Sequence, residues 1–469
     1  MVPLVKYFLC FCAAFYSGTS ALFAANVPDG ASLSLWWGIP FAGLLLSLAL
    51  FPLLLPRIWH HHYGKIGALW ASATLIPMVS TQGTETTFGV ILEILIHHYI
   101  PFITLIAALY IISSGIKIHI NAAPVPRFNV AVLAIGTFLA NFIGTTGAAM
   151  LLVRPLLAMN QSRQHKVHTM VFFIFLVCNI GGSLTPLGDP PLFLGFLNGV
   201  SFFWVTEYLF IPLLLIAIPL LLLYWALDHY YLRRENIALI ASPPATVTIS
   251  GSIHFVFLGI TLAIVFLSAV WHPDTHLNLG ALSLPLEEAV RDLGLIAISF
   301  LSWKTNQDLQ GDDKGAFSWE PLYEVGKLFA SIFIVAIPVI AILQAGEKGA
   351  LQQLVALVNK DGQPIPSAYF WLTGALSAFL DNAPTYLIFF NTAGGNAANL
   401  MSDHALTLTA ISAGAVFMGA ITYIGNAPNF MVKAIAESEG VPMPSFFGYL
   451  KWSCTILLPL FILLTVALF

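Results

Sequence analysis

Apolar runs of about 20 residues recur along the whole chain, the length a helix needs to cross a hydrocarbon layer. They fall at 33–55, 64–81, 99–116, 205–227, 252–271, 286–303, 322–343 and 446–468. Four more runs, 128–157, 167–200, 366–391 and 404–437, are also apolar, but Gly, Pro, Asn, Asp and Thr interrupt each one. Stretches 85–98 and 347–360 are shorter and read as interfacial helices or packing arms. The pattern predicts an all-α polytopic membrane protein.

The interruptions repeat. Thr185-Pro186-Leu187-Gly188-Asp189-Pro190-Pro191-Leu192-Phe193 matches Thr422-Tyr423-Ile424-Gly425-Asn426-Ala427-Pro428-Asn429-Phe430 at an offset of 237, with Asp189 falling on Asn426. Each passage follows another broken segment, Asn141-Phe142-Ile143-Gly144-Thr145-Thr146-Gly147 in the first half and Asp381-Asn382-Ala383-Pro384-Thr385 in the second. Paired broken segments in two halves are the best sequence pointer to a secondary transporter's binding site. Unwound backbone at membrane depth is tolerated only where protein or water surrounds it.

Composition agrees. The 469 residues are 58% hydrophobic and 9% charged, against about 25% charged in soluble domains. A net charge of −4 gives no reason to expect a nucleic-acid partner. Cys10, Cys12, Cys178 and Cys454 lie in apolar runs and show no metal or disulfide spacing. Residues 1–25 read as either a cleaved signal peptide or a first transmembrane helix.

Lys and Arg orient the segments, because cytoplasmic loops are enriched in them. A basic loop with Arg57, His60, His61, His62 and Lys65 is placed inside, as are Lys117 with Arg127, Arg154 with Arg163 and Lys166, and Arg233 with Arg234. Both flanks of 128–153 are basic, which fits a re-entrant hairpin entering from the cytoplasm. No Lys or Arg occurs from Val167 to Leu232 or from Asp361 to Val432, so 366–391 reads as a hairpin entering from outside. The charges thus predict two inverted-topology repeats, 33–232 and 321–469, each with a re-entrant hairpin and a broken transmembrane helix. Residues 233–320 are the linker, with loops at Ser242-Pro243-Pro244 and Gly311-Asp312-Asp313-Lys314-Gly315.

Asp189 and Asp381 are the acids set deepest in apolar sequence. Intramembrane carboxylates are costly and mark ion paths or proton relays. Desolvation favours the protonated carboxyl and a bound cation favours the ionised one, so such acids can exchange H⁺ for a cation. Both are the candidate proton carriers and Na⁺ ligands; the alternative is that they cap the following half-helices. Asn141, Thr145, Thr146, Thr185, Asn382, Thr385, Thr422, Asn426 and Asn429 surround them with the oxygen donors a hard cation prefers. For the threonines the alternative is bonding back to their own helix. Gly181, Gly182, Pro186, Gly188, Pro384, Gly425 and Pro428 set the helix breaks. His97 with His98, Glu85 and Glu93 read as interfacial. No phosphate-binding loop, nucleophile–base pair or zinc spacing appears, so neither an ATP-driven pump nor an enzyme is expected, and no cofactor.

At these residues the chain resembles the ion-transporter superfamily, and within it NhaD-type sodium/proton antiporters and the related arsenite permeases. Asn179-Ile180-Gly181-Gly182-Ser183-Leu184-Thr185-Pro186-Leu187-Gly188-Asp189 resembles their Asn-x-Gly-Gly-x-x-x-Pro-x-Gly-Asp passage, and Asp381-Asn382-Ala383-Pro384-Thr385 their Asp-Asn hairpin tip. The resemblance implies an inverted-repeat transporter using an ion gradient, with Na⁺ or Li⁺ exchanged for H⁺ by alternating access. By analogy it implies a homodimer surrounded by membrane lipid, multi-pass in a bacterial inner (plasma) membrane. The first hairpin departs from the pattern in lacking an acid, and the Ser-Asn-Thr pairs of the superfamily's dicarboxylate transporters are absent. The competing expectation is a sodium- or proton-coupled transporter of an anion such as citrate, another dicarboxylate or arsenite, since half-helix N-termini also hold anions.

The topology is testable. A cysteine within 160–165 should be labelled only from the cytoplasm, and one within 393–399 only from outside. Labelling of both from one side contradicts the inverted repeat.

Overall fold

The computed structural model describes residues 28–235, 245–279, 282–306, 319–360 and 362–469. The segment 1–25 and the two linker loops at 242–244 and 311–315 lie outside these. In chain order the helices are α1 (Ile39–Leu54), α2 (Pro56–Gln82), α3 (Thr84–Ser114), α4 (Pro126–Met159), α5 (Val167–Leu176), α6 (Pro190–Leu197), α7 (Trp204–Arg234), α8 (Ile253–Val270) and α9 (Leu286–Thr305). They continue with α10 (Glu320–Gln344), α11 (Gln352–Val358), α12 (Pro366–Phe379), α13 (Asn382–Thr392), α14 (Ala397–Met401), α15 (Ala405–Met418), α16 (Ala427–Ser438) and α17 (Phe446–Leu468). Three short two-stranded ribbons join them, the longest pairing β1 (Lys117–Asn121) with β2 (Thr246–Ser250). The protein is an all-α polytopic membrane protein. Among the described residues seven helices are long and apolar enough to cross a membrane: the segment Leu35–Pro52, which is mostly α1, together with α3, α4, α7, α8, α10 and α17.

Several elements differ from expectation. Arg57, the histidine triplet and Lys65 are not a loop but the first turns of α2. Pro56 explains this. The residue before a proline is pushed out of the helical region, and Leu55 sits at φ −135°, ψ 53°. Proline itself is favoured at a helix start, so α2 begins at once. The expected spans 64–81 and 286–303 form α2 and α9, but neither is among the seven. Polar residues dilute the first, and Glu287, Glu288, Arg291 and Asp292 cluster at the start of the second. Stretch 85–98 is not a separate arm. A π-turn at Leu95–Tyr99 keeps it continuous with the run that follows, giving one helix, α3.

The two broken units match element by element. After α5 and α15 come 3₁₀ turns at Ile180–Ser183 and Gly419–Ile421, and the second half-helices start at Pro190 and Ala427, positions related by the same offset. The residues just before them share extended backbone, Asp189 at φ −144°, ψ 143° and Asn426 at φ −153°, ψ 140°. The hairpins also match. α4 kinks at Gly144 (φ 74°, ψ 155°), a left-handed conformation that suits glycine. α12 and α13 meet at Leu380-Asp381. The units interlock, with α13 packed on α6 and α16 on α4. Lipid is as apolar as a side chain, so membrane helices associate through close packing of small residues. Thus a Cβ on Gly414 of α15 would lie 2.6 Å from the Phe370 carbonyl of α12.

A buried polar knot ties the first hairpin to α7. Arg163, in the turn after α4, donates to Glu235 (2.6 Å) and Asp228 (2.8 Å). His168 Nε2 lies 3.0 Å from the same Asp228 oxygen. Asn129, near the start of α4, donates to the other Asp228 oxygen (2.9 Å) and to Asn160 at its end (3.0 Å). All six residues are buried. Asn160 and Arg163 are therefore poor labelling positions, and the exposed Gln161 or Ser162 should carry the topology cysteine. Removing one partner of a buried ion pair leaves an uncompensated charge, at a cost of about 3–5 kcal/mol. Arg163→Gln should therefore lower the midpoint of thermal unfolding in detergent markedly. An unchanged midpoint contradicts the knot's structural role.

Candidate functional site

Both helix breaks and both hairpin tips converge on the Asp189 carboxylate. Asp189 occupies the N-cap position of α6, yet its side chain makes no cap hydrogen bond. The reason is local. An N-cap oxygen bonds to the second or third backbone N–H of the helix; Pro191 has none, and the Leu192 amide bonds instead to the Asp189 carbonyl, 3.1 Å. Freed from its own helix, the carboxylate accepts hydrogen bonds from three neutral side chains. Thr145 Oγ1 at the first tip donates to Oδ1 (3.0 Å), Asn426 Nδ2 at the second break donates to the same oxygen (3.1 Å), and Asn382 Nδ2 at the second tip donates to Oδ2. Two of these relations follow the repeat. Asp189 and Asn426 are matched positions that touch each other, and Thr145 and Asn382 are matched positions that both hold Asp189.

The site is buried and acidic. Asp189 is 1% exposed, Asn382 0%, Thr145 2% and Asn426 3%. Among the described residues no Lys, Arg or His donates to the carboxylate, and Asp381 is a charged neighbour. Asp381 is half-buried and caps α13 through a long contact to the Ala383 amide, 3.5 Å. The capping alternative therefore describes Asp381 and fails for Asp189.

Several expected ligands are committed to holding the breaks. Thr185 Oγ1 donates to the Asn141 carbonyl and accepts from the Leu187 amide (3.2 Å). At the matched place Thr422 Oγ1 donates to the Ala378 carbonyl and accepts from the Ile424 amide (3.1 Å). Asn141 Oδ1 accepts from the Leu184 amide, 2.7 Å. Asn429 donates to the carbonyls of Gly419 (2.8 Å) and Thr422 (2.9 Å). Thr385 bonds back to the Asp381 carbonyl (3.0 Å). Thr146 is half-buried and lies one residue beyond the tip. The glycines allow the breaks to fold tightly: a Cβ on Gly188 would lie 2.2 Å from the Gly182 carbonyl oxygen, and one on Gly425 2.6 Å from that of Gly419. Gly181, Pro186, Pro384 and Pro428 lie in or beside the same breaks.

Asn179 belongs to the site and was not singled out as a ligand. Its Nδ2 donates to Asn429 Oδ1 (2.8 Å), and its Oδ1 is buried with no partner. Asn382 Oδ1 and Ser183 Oγ are likewise buried and unpartnered. The only prior signal was Asn179's place at the head of the Asn-x-Gly-Gly passage. The unpartnered Asn382 oxygen, on the side chain that holds a carboxylate with no basic partner among the described residues, suits a small cation. The other interfacial candidates lie elsewhere: His97 pairs with Glu288 (3.1 Å), His98 stacks on Phe333, and Glu85 is exposed. Among the described residues no group of three His, Cys, Asp or Glu forms a metal cage.

Paired broken helices that meet on intramembrane polar groups define a secondary transporter. A family model described as "Putative citrate transport" matches residues 30–469, and the chain belongs to that family. No curated protein matches it.

The break-holding threonines separate scaffold from ligand. Thr185→Val and Thr422→Val should each destabilise the protein by about 1–3 kcal/mol, the cost of leaving buried backbone partners unsatisfied, without changing which ion is carried. Unfolding midpoints and ion-selectivity assays check this. A changed selectivity with unchanged stability contradicts it.

Proposed function

We propose that the protein is a sodium(lithium)/proton antiporter working by alternating access, with Asp189 and Asp381 as the proton carriers. The observation that carries the reading is the Asp189 carboxylate, sealed from solvent and met only by neutral donors. An isolated buried carboxylate is strongly disfavoured unless it is protonated or paired with a cation. Thr145, Asn382 and Asn426 orient it, and the unpartnered Asn179 and Asn382 oxygens are available to a desolvated Na⁺ or Li⁺. When the cation enters, the proton must leave, and the reverse on release. Asp381, half-buried, is the relay toward solvent. Movement of two inverted-topology repeats about their shared breaks would expose the carboxylates to each side in turn.

A second reading has one specific observation in its favour, the citrate description of the family. In that reading Na⁺ or H⁺ at Asp189 is the coupling ion and the anion binds beside it. The cluster contains no basic side chain to receive a polycarboxylate, which weighs toward antiport.

Proteoliposomes with a pH-sensitive dye separate the two. Na⁺ or Li⁺ should drive proton movement without any organic anion, and K⁺ should not. The apparent Na⁺ affinity should fall as pH drops, because H⁺ occupies the carboxylate that Na⁺ needs. Asp189→Asn and Asp381→Asn should abolish exchange while folding is retained. Saturable citrate or succinate uptake, with no cation-driven proton flux in its absence, would overturn antiport in favour of the second reading.

A further inference from the structure

A hollow of about 510 Å³ lies beside the first break, between α4, α7 and α8. Two aromatic walls bound it. Phe138 and Phe142 of α4 pack with ring centroids 5.1 Å apart. Phe202 and Phe203, in the turn before α7, pack on Phe266 of α8 at 6.1 and 5.5 Å. The floor is the break itself, Leu184 and Thr185 with Asn141 of the first hairpin, and no charged residue lines the hollow. Its polar side chains are already bonded. Thr185 donates to the Asn141 carbonyl and Thr206 to the Leu184 carbonyl. Asn141 Oδ1 accepts from the Leu184 amide, and its Nδ2 donates to the carbonyls of Thr137 (3.3 Å) and Phe138 (3.2 Å).

We propose that this hollow seats a hydrocarbon chain of a membrane lipid, laid between the aromatic walls against the first break. The rim identifies the occupant. Phe138, Phe203 and Phe210 are 61%, 59% and 48% exposed, and α4, α7 and α8 are all long and apolar enough to cross a membrane. In an integral membrane protein such rings face lipid, so the hollow is continuous with the lipid-facing surface. Water is a poor occupant, because a buried water needs about two to four polar partners and the polar side chains here are taken. A polar or charged ligand fails for the same reason. A helix of a second copy is about 10–12 Å across, so the hollow would hold little more than one turn of it. A chain already in the bilayer gains no hydrophobic energy by entering. It gains the dispersion contacts that the walls of an empty void would lack. The seated chain would pack on Phe142, two residues from the Gly144 kink, and on Thr185, which closes the break. Lipid would thus support the first hairpin whichever ion is carried.

Photolabelling of the full-length protein in liposomes tests this, with a phosphatidylcholine that carries a diazirine in the middle of one acyl chain and mass spectrometry of the labelled peptides. Exposed Ile462 and Val466 of α17 report ordinary lipid contact, and fully buried Phe175 reports the background. Buried Phe202 and half-buried Leu184 should label as strongly as the α17 residues, because a chain inside the hollow reaches them. Ala263 is exposed and lines the hollow. Ala263→Trp, which fills the space, should reduce labelling of Phe202 and Leu184 to the Phe175 level and leave α17 labelling unchanged. Ala263→Ser, which adds little volume, should label as the wild type does, and this separates a filled hollow from a lost fold. Background labelling of Phe202 and Leu184 in the wild type would overturn the proposal, as would equal labelling in the wild type and Ala263→Trp. Disulfide-linked dimers of Ala263→Cys, absent from the wild type, together with an unlabelled hollow, would place a second copy there instead.

Discussion

The structure is organised around one ionisable group in a place where ionisation is expensive. A carboxylate at membrane depth without a basic partner is tolerated only if it is neutralised by a proton or a cation or surrounded by donors. Asp189 has three donors, and each comes from a different element: the first hairpin tip, the second hairpin tip and the second break. The carboxylate therefore holds the two units together as well as offering a charge.

Proline chemistry makes this arrangement available. Pro191 removes one of the two amides an N-cap carboxylate could use, and the Leu192 amide is taken by the Asp189 carbonyl. The carboxylate turns to the hairpins instead. Asp381 shows the contrast: Asn382 and Ala383 do carry amides, and its carboxylate caps α13. Two acids in similar broken segments thus have different tasks. One is locked at the centre and the other sits half-buried at the rim.

Much of this was legible in the sequence, because broken apolar runs, proline spacing and the offset of 237 are local signals. Most of the spans, the breaks, both acids and the donors Thr145, Asn382 and Asn426 could be named from them. What was not legible depended on contacts between distant segments. Thr185, Thr422 and Asn141 looked like ligands, and only the paired hydrogen bonds show them closing the breaks. Asn179 had only its place at the head of the Asn-x-Gly-Gly passage to mark it, since its unpartnered oxygen is a fact of packing. The buried knot of Arg163, Asp228 and Glu235 was not legible, since Arg163 read only as a loop charge and its partners lie up to 72 residues away. The start of α2 at Pro56 was missed because a histidine-rich basic stretch resembles a loop in composition while its backbone is helical.

The central claim is that Na⁺ and H⁺ compete for the same buried carboxylate. The most direct measurement is proton release from the purified, full-length protein in weakly buffered detergent solution as NaCl is added, with choline chloride as the ionic-strength control. The account predicts saturable release of protons on Na⁺ addition that disappears in Asp189→Asn. Saturable Na⁺ binding with no proton release, or release that persists unchanged in Asp189→Asn, would contradict it.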